Sequence, residues 1–434
     1  MTQRAITTRA FPGLLALLIW VSCSGPELPP VDPAELFVGL DRIVTSEYYF
    51  QADGQAATSG ETVDLLPLYA AALQAARLTL QPESAEQARD ALITHLNQVE
   101  ASEQRELVYD SLNAYLDALP GGENTFVRTE SRRFQDRESN SAGVGMVLHR
   151  QDDGRFLIVD VLEGSAAYRA EIEPGRELAR VDGTEIRGRD VEEVVGRIVG
   201  TPESEVRLDY ADGASFVLER GAVNFRGIIN ASWQLAGGGN AEYIMLRNAA
   251  ADTPGQLRGL LGRLGQREAI VLDLRKHYHG TYEGCFAVAD LFRRGTRLGS
   301  LALRNGNERV FDADNEVLHE GRIFVILGKE ASAFAVTLAA ALAPAPNVTV
   351  IGPDMPAHAF LSHVEELSGG IELRITNGVV KGPDGQALYQ ARAPVDVEMP
   401  VDLPARGPLE SPDPNDPVQV RVGEMLGVSP TGGT

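Results

Sequence analysis

The sequence predicts a multidomain α+β protein with an N-terminal helical segment, a small β domain and an α/β core. Residues 34–119 carry apolar side chains at helical spacing. Residues 141–220 change to short β runs punctuated by glycine, and residues 222–400 alternate strand and helix. The chain has 434 residues, of which 44% are hydrophobic. This is too long for one ordinary core, so we expect two or three domains.

The charge balance argues against nucleic acid as a partner. The formal net charge is -22, and no basic cluster offsets it. Proteins that bind nucleic acid neutralise phosphates with clustered Lys and Arg. We therefore predict no nucleic-acid binding, and we interpret the acidic surplus as a solvated surface.

Residues 1–23 have the pattern of an export signal. Arg4 and Arg9 precede a short apolar run, FPGLLALLIWV, and Cys23 ends the segment. This resembles a bacterial lipoprotein signal, although Trp20 stands where such signals usually have Leu. The resemblance implies a lipid on Cys23 that holds the protein at a membrane surface, as a periplasmic lipoprotein of the bacterial cell envelope. Secretion without a lipid is the alternative.

The Pro-rich residues 24–33 then form a tether. With Cys23 used by the signal, Cys285 has no partner for an intrachain disulfide. Its place on an apolar helix face predicts a small core residue.

The first folded segment, residues 34–140, is predicted to be helical. LLPLYAAALQAARLTL (65–80) and LVYDSLNAYLDAL (107–119) repeat apolar residues three and four apart, without strand-like alternation.

Residues 141–221 are predicted to form the β domain. The candidate strands are GVGMVLHR, RFLIVDVLEG, EVRLDY and ASFVLER, and Asp212-Gly213 is a hairpin turn between the last two. Two helices, at SAAYRA and RDVEEVVGRIV, interrupt the strands. The loop Gly143, Val144, Gly145 and Met146, followed by an alternating strand, resembles a bacterial-type PDZ domain. In such domains loop amides bind a peptide's terminal carboxylate while the strand pairs with the peptide. The resemblance implies binding of protein or peptide C-terminal tails.

Residues 222–403 are predicted to form an α/β layered core, and residues 404–434 a Pro-rich tail. The core strands are EYIMLR, AIVLDLR, RIFVILG and VTVIG, with helices at GQLRGLLGRLG, EGCFAVADLFRR and GKEASAFAVTLAAAL. Several stretches resemble the carboxyl-terminal processing proteases, serine peptidase family S41, over roughly residues 34–428. They are AYLDALPGGENTFVRTESRRFQ, AIVLDLRKHYHG with AVADLF, EASAFA and DPVQVRVGEML. The resemblance implies a helical part, a PDZ domain and a protease core that cleaves proteins near their C-termini.

The family's nucleophile position falls on Ser332. Phe334 and Ala335 stand where the family has Ser and Glu. A serine at a helix start is well placed for catalysis, because the helix dipole and free amides favour a developing oxyanion. It is also an ordinary helix cap, so both interpretations remain open.

The base that would activate Ser332 is missing from its expected place. The family uses a buried lysine about twenty-five residues on, and that place falls on or near His358; the supporting glutamine would correspond to Ser362. The chain's only lysines are Lys276, Lys329 and Lys381. His358 could substitute as a base, whereas an exposed Lys329 would stay protonated. The alternative for both is a polar turn residue.

The oxyanion hole departs from the family as well. In the family pattern Asn-Xaa-Pro-Gly-Gly the first glycine donates an amide to the oxyanion; here His279 takes that place and Tyr278 replaces the proline. His279 and Ala333 are the corresponding backbone positions. A histidine in a turn built for the positive φ of glycine is expected to be strained.

Clustered histidines raise the possibility of a metal site. His277 and His279 would share a face of a strand, with His358 and His363 further along. No cysteine cluster or HExxH motif supports such a site, so we predict no metal and no cofactor. Asp273 and Arg275 are interpreted as structural residues that close their strand.

Three functions remain open: a catalytically impaired pseudoprotease that binds C-terminal tails, an active serine endopeptidase with His358 as a substituted base, and a binding protein for a small ligand or metal. Because the lysine, the glutamine and the glycine turn are all lost together, the sequence favours the first.

Overall fold

The computed structural model describes residues 29–50, 62–122, 124–127, 142–151, 153–189, 191–223, 225–235, 238–314, 316–329, 331–402 and 411–428. The predicted signal (1–23) with its Cys23, residues 24–28 of the tether, and residues 404–410 and 429–434 of the C-terminal tail lie outside these ranges. In the described ranges, no helix is both long and apolar enough to cross a membrane.

The N-terminal region is helical, as predicted, with helices α1 (Pro33–Glu47), α2 (Leu66–Ala75), α3 (Ala85–Leu96) and α4 (Ala101–Asp117). Their apolar faces share one core, and a buried carboxylate lies inside it. Asp41 accepts hydrogen bonds from the hydroxyls of Tyr69 (2.7 Å) and Tyr115 (3.1 Å) and pairs with Arg89. These partners satisfy the buried charge, which would otherwise destabilise the bundle.

The β domain is a six-stranded antiparallel sheet. Five strands run in the order β2-β3-β4-β6-β7, with β5 beside β4. Their bounds are β2 (Met146–Arg150), β3 (Phe156–Val161), β4 (Glu177–Val181), β5 (Thr184–Glu185), β6 (Glu205–Tyr210) and β7 (Ser215–Glu219); helices α5 (Ala166–Arg169) and α6 (Val191–Ile198) complete the domain. Strand β2 is an edge strand, so one of its sides can pair with another chain.

The core is a second six-stranded sheet in the order β19-β16-β15-β11-β9-β8, parallel except for the β8–β9 pair. Its strands are β8 (Ile228–Gln234), β9 (Asn240–Leu246), β11 (Ala269–Asp273), β15 (Arg322–Ile326), β16 (Val348–Gly352) and β19 (Val397–Glu398). A separate short parallel pair joins β10 (Asn248–Ala249) to β12 (His279–Gly280).

Helices cover both faces of this sheet. One face packs against α7 (Thr253–Leu264), α8 (Tyr282–Ala289) and α9 (Ala333–Leu342), and the other against α10 (Pro417–Leu426). Alternation along β9 explains both contacts, because Ile244 and Leu246 belong to the first core and Tyr243 and Met245 to the second. This arrangement agrees with the predicted α/β layers.

A further antiparallel sheet was not predicted. It contains β1 (Thr125–Val127), β13 (Arg297–Leu303), β14 (Glu308–Asp312), β17 (Phe360–Leu367) and β18 (Ile371–Lys381), with β18 as its centre. Strand β1 comes from the segment that the sequence predicted to be wholly helical, and it pairs with β18. The two strands lie far apart in the chain, so local spacing could not reveal the pairing. This sheet joins the N-terminal region to the core.

A buried ionic cluster fixes the carboxyl end of β11. The Arg275 guanidinium bonds both Asp273 and Asp416, each at 2.7 Å from its Nη2 atom, and all three residues are buried. Asp416 is also the N-cap of α10, where it accepts the amide of Val418. The cluster therefore ties the end of a central strand to the C-terminal helix.

Replacing Arg275 by Leu is expected to destabilise the protein by about 3–5 kcal/mol, because two buried carboxylates would lose their cation. Urea unfolding of residues 24–434 measures the change. Arg421→Leu is the matched control, since Arg421 lies on α10, the helix that Asp416 caps, with a 51% exposed side chain paired to Glu424. We expect a cost below about 1 kcal/mol there. Equal effects of the two substitutions would contradict a structural role for the cluster.

Candidate active site

Ser332 lies between β15 and α9, at the carboxyl edge of the core sheet. It is the N-cap of α9, and its Oγ accepts a hydrogen bond from the Ala335 amide nitrogen at 3.2 Å. The hydroxyl donates to the backbone carbonyl of His277 at 2.6 Å. These two bonds occupy the hydroxyl as a helix cap, and its proton points to a carbonyl rather than to a base.

The turn 276–280 supplies that carbonyl. It follows β11, the neighbour of β15, so the carboxyl ends of two adjacent parallel strands bring His277 and Ser332 together. His277 is buried, and its Nδ1 lies 3.1 Å from the carbonyl oxygen of Leu246. Burial lowers the pKa of His277 to about 4, because the charged imidazolium would lose its hydration. Its Nε2 has no hydrogen-bond partner in the described part of the chain.

His279 does not carry the strain that the sequence suggested. It lies in β12, which pairs with β10, and the described non-glycine residues with positive φ are Arg77, Glu171, Asp182, Glu203 and His358. The paired extended conformation removes the need for glycine at this position, so that expectation was wrong. Although its side chain reaches solvent, partial desolvation by the surrounding cleft lowers the pKa of His279.

His358 is exposed, and its backbone has a φ of 41°, a conformation that costs energy for a side chain with a Cβ. Its ring lies nearly parallel to that of Phe360, with centroids 6.4 Å apart. No hydrogen bond of its imidazole is present among the described residues, and Ser332 donates elsewhere. The structure therefore shows no Ser–His pair.

The five predicted catalytic positions nevertheless share one cleft of about 1080 Å³. Its walls include Ser332, Ala333, His279, His358 and Ser362. Ala333 is the first residue of α9, and no acceptor for its amide is seen in the described ranges. The cleft thus keeps one donor suited to an anionic oxygen.

The three lysines of the chain are held by carboxylates. Lys276 Nζ lies 2.7 Å from Asp160, Lys329 Nζ lies 3.4 Å from Asp402, and Lys381 Nζ lies 3.2 Å from Glu308. Only the Lys276 pair is buried. Each ammonium therefore has a carboxylate partner, and none of the three Nζ atoms forms a hydrogen bond with Ser332 in the described ranges.

The turn 276–280 also contacts the β domain. Asp160, on β3, pairs with Lys276 and with Arg247, and all three side chains are nearly inaccessible. The Tyr278 hydroxyl donates to the carbonyl of Val159 at 3.3 Å. Sequence reasoning missed this contact. The available signal was a lone aspartate in the apolar strand RFLIVDV.

The glycine loop of the β domain uses one of its amides within the fold. The Gly143 amide donates a hydrogen bond to the Gly221 carbonyl oxygen at 3.1 Å, so it is not available to a ligand. No acceptor for the amides of Val144 and Gly145 is seen in the described ranges. A Cβ on Gly145 would lie 2.1 Å from that of Ser165, so only glycine fits this loop. Met146 begins the edge strand β2.

The histidines do not converge on a metal site. Among the described residues, the one group of three possible ligands within 4.8 Å of one another is Glu47, His363 and Glu365, which is partly exposed. His277 is buried beside Leu246 while His279 is exposed, so the two do not face a common ligand. Cys285 is buried, with its Sγ 3.3 Å from the Phe334 carbonyl, and burial raises its pKa.

Protonation of His277 is expected to make stability depend on pH. The unfolded histidine takes up a proton near pH 6.5, while the folded one stays neutral until about pH 4. The stabilisation is therefore complete above pH 6.5 and is lost as the pH falls, by about 3 kcal/mol at pH 4. Urea unfolding from pH 7.5 to 4 should show a shallower loss for His277→Asn, whose amide can still reach Leu246. Parallel pH profiles of the two proteins would refute this.

Replacing Ser332 by Ala should cost about 1 kcal/mol of stability, because the Ala335 amide loses its cap. Ser332→Thr retains a hydroxyl and should remain within about 0.5 kcal/mol of the parent. Urea unfolding measures both. A gain in stability for Ser332→Ala would contradict the capping role and indicate a residue kept for activity at a cost in stability.

Comparison with known proteins gives two family matches. The family described as Peptidase family S41 matches residues 240–399, and the PDZ domain family matches residues 134–211. The carboxy-terminal processing protease CtpA of Bacillus subtilis is 22% identical over 289 residues, which cover 65% of this chain and 62% of that protein. The carboxyl-terminal-processing protease of Synechocystis is 21% identical over 57% of this chain and 60% of its own length. The matched region thus spans about three fifths of these relatives.

A solved structure shares the fold. The photosystem II D1 C-terminal processing protease aligns with 85% of this chain and 98% of its own, at 19% identity and a TM-score of 0.59. These matches confirm the family resemblance and the predicted α+β fold, with a PDZ domain and a core of the tail-specific protease type. Residues 240–399 are thus similar to peptidase family S41 and residues 134–211 to PDZ domains, and together they resemble the PDZ-containing carboxyl-terminal processing proteases.

Proposed function

We propose that this protein is a pseudoprotease that binds C-terminal tails of other proteins and cleaves them poorly or not at all. One observation carries the loss of activity: the Ser332 hydroxyl donates to the His277 carbonyl, and no base lies within hydrogen-bond distance of it in the described ranges. A serine hydroxyl is a weak nucleophile unless a neighbouring group accepts its proton.

The lysines support the same proposal. A catalytic lysine must be neutral, which requires burial without a carboxylate partner. Lys276 is buried but paired with Asp160, and Lys329 is 61% exposed beside Asp402. Neither meets the requirement.

Tail binding is supported by the PDZ domain. The amides of Val144 and Gly145 have no acceptor among the described residues and can receive a terminal carboxylate. Strand β2 leaves one edge open for pairing with a peptide, and its residues Val147–His149 line the same cleft as Ser332. A bound tail would therefore lie close to the serine.

A second candidate is an active endopeptidase with His358 as the base. The observation in its favour is the strained backbone of His358 inside the cleft, since such strain is concentrated at functional positions. The imidazole would have to leave Phe360, and Ser332 would have to release the His277 carbonyl.

The proposed location of the protein is the bacterial cell envelope. A lipid on Cys23 would hold the protein at a membrane of the bacterial cell envelope, where the PDZ domain would meet exported proteins. Globomycin sensitivity of the processing of the full-length protein, together with metabolic labelling by palmitate, tests this; secretion of an unlabelled form would contradict it.

Cleavage and binding should be measured on the same soluble protein, beginning at Ser24. We expect no cleavage of an unfolded, C-terminally tagged substrate by mass spectrometry beyond that of Ser332→Ala and His358→Ala. We also expect peptides with a free C-terminal carboxylate to bind about tenfold or more tightly than their amidated forms, because charge-assisted hydrogen bonds to the loop amides are lost.

Two outcomes would contradict the proposal. Cleavage by the parent that both variants abolish would establish Ser332 as the nucleophile with His358 as its base. Equal affinity for free and amidated peptides would exclude carboxylate recognition by the Val144–Gly145 loop.

A further inference from the structure

We propose that Asp160 is a positioning residue that joins the peptide-binding edge of the PDZ domain and the serine cleft into one continuous binding site. The proposal rests on tail binding by this protein. It assigns to one buried carboxylate a part in fixing the orientation of the PDZ domain on the core.

The contact is ionic, buried and made across the domain boundary. The side chains of Asp160, Arg247 and Lys276 are 1%, 6% and 5% exposed. Each carboxylate oxygen of Asp160 faces a different cation, Oδ2 towards Arg247 and Oδ1 towards Lys276 at 2.7 Å. Removing the Asp160 carboxylate would leave two buried cations without a counter-charge, so both contacts across the boundary depend on this one side chain.

The cluster contacts both halves of the proposed site. Asp160 lies on β3, which pairs directly with β2, the strand whose edge is open. Lys276 precedes His277, whose carbonyl accepts the Ser332 hydroxyl. The PDZ edge strand β2 is therefore connected to Ser332 through the β2–β3 pairing, the Asp160–Lys276 ion pair and the His277 carbonyl.

A second bond reinforces this contact. Tyr278, on the other side of His277, donates its hydroxyl to the Val159 carbonyl. Lys276 and Tyr278, on either side of His277, thus both reach the PDZ domain through their side chains. Val159 itself lines the serine cleft, beside Val147–His149 of β2.

A tail held on β2 can then continue into the cleft without the cost of orienting the domains first. Two linked sites of fixed geometry bind a long ligand more tightly than either site binds its own part. When the domains move independently, the long ligand loses this advantage while the PDZ site still binds the last residues.

The test compares two peptides that share a C-terminus, one of about four residues and one of about twelve, which can extend roughly 40 Å. Fluorescence anisotropy gives Kd for both peptides on the parent protein, on Asp160→Asn and on Asp153→Asn. Asp153 is the matched control, because it lies in the same domain with a 47% exposed side chain paired to Arg155.

We expect the parent and Asp153→Asn to bind the long peptide about tenfold more tightly than the short one. In Asp160→Asn the two affinities should become equal within about twofold, with the short-peptide Kd unchanged. That unchanged value also shows that the PDZ domain is folded. If Asp160→Asn proves insoluble, Lys276→Asn replaces it as the test variant. It leaves the Asp160–Arg247 pair intact and should lose part of the tighter binding of the long peptide.

The outcomes distinguish failure of the role of Asp160 from failure of the proposed tail binding. A long-peptide advantage that survives in Asp160→Asn, or that is absent in the parent while the short peptide binds, overturns the role of Asp160 and leaves tail binding intact. If the parent binds neither peptide, tail binding itself is wrong and the role of Asp160 falls with it.

Discussion

The buried Arg275 guanidinium is the interaction on which the rest of the site depends. It holds Asp273 at the end of β11 and Asp416 at the start of α10, and it donates to the Asp402 carbonyl. Gly328, two residues after β15, lies so close to the same side chain that a Cβ there would be 3.4 Å from the Arg275 Cγ. One cation therefore fixes both strand ends from which the turn 276–280 and the Ser332 loop begin. Because an isolated buried charge is very unfavourable, all of its partners must keep their places together.

Beyond this cluster, the polar groups of the site are used for structure. The Ser332 hydroxyl caps α9, the His277 imidazole bonds Leu246, and Lys276 binds Asp160. Ser332, His277 and Lys276 therefore each have a structural partner, and none of these partners is a base for Ser332. Burial lowers the pKa of His277 to about 4, and its imidazole faces the Leu246 carbonyl rather than the Ser332 hydroxyl.

The sequence predicted the elements with local signals and missed those that depend on distant pairing. Alternation and helical spacing placed the core strands, the helix after Ser332 and the PDZ strands near their observed positions. The sheet around β18 was missed, because its strands come from residues 125 to 381 and share no local pattern. The strain expected at His279 was wrong, since its pairing with Asn248 makes the backbone extended. Asp160 stood out only as a charge in an apolar run, and its partners come from residues 87 and 116 positions away.

Retention of Ser332 does not require retention of catalysis. A serine at this position stabilises the first turn of α9, and α9 is almost wholly buried in the core. Its replacement would leave the Ala335 amide without its cap whether or not the protein cleaves peptides. The lysine of the family has no such second use, because a neutral buried amine contributes little to stability and costs desolvation. Under the proposed pseudoprotease function, this asymmetry accounts for a chain with serine at position 332 and His358 at or near the place of the family's lysine.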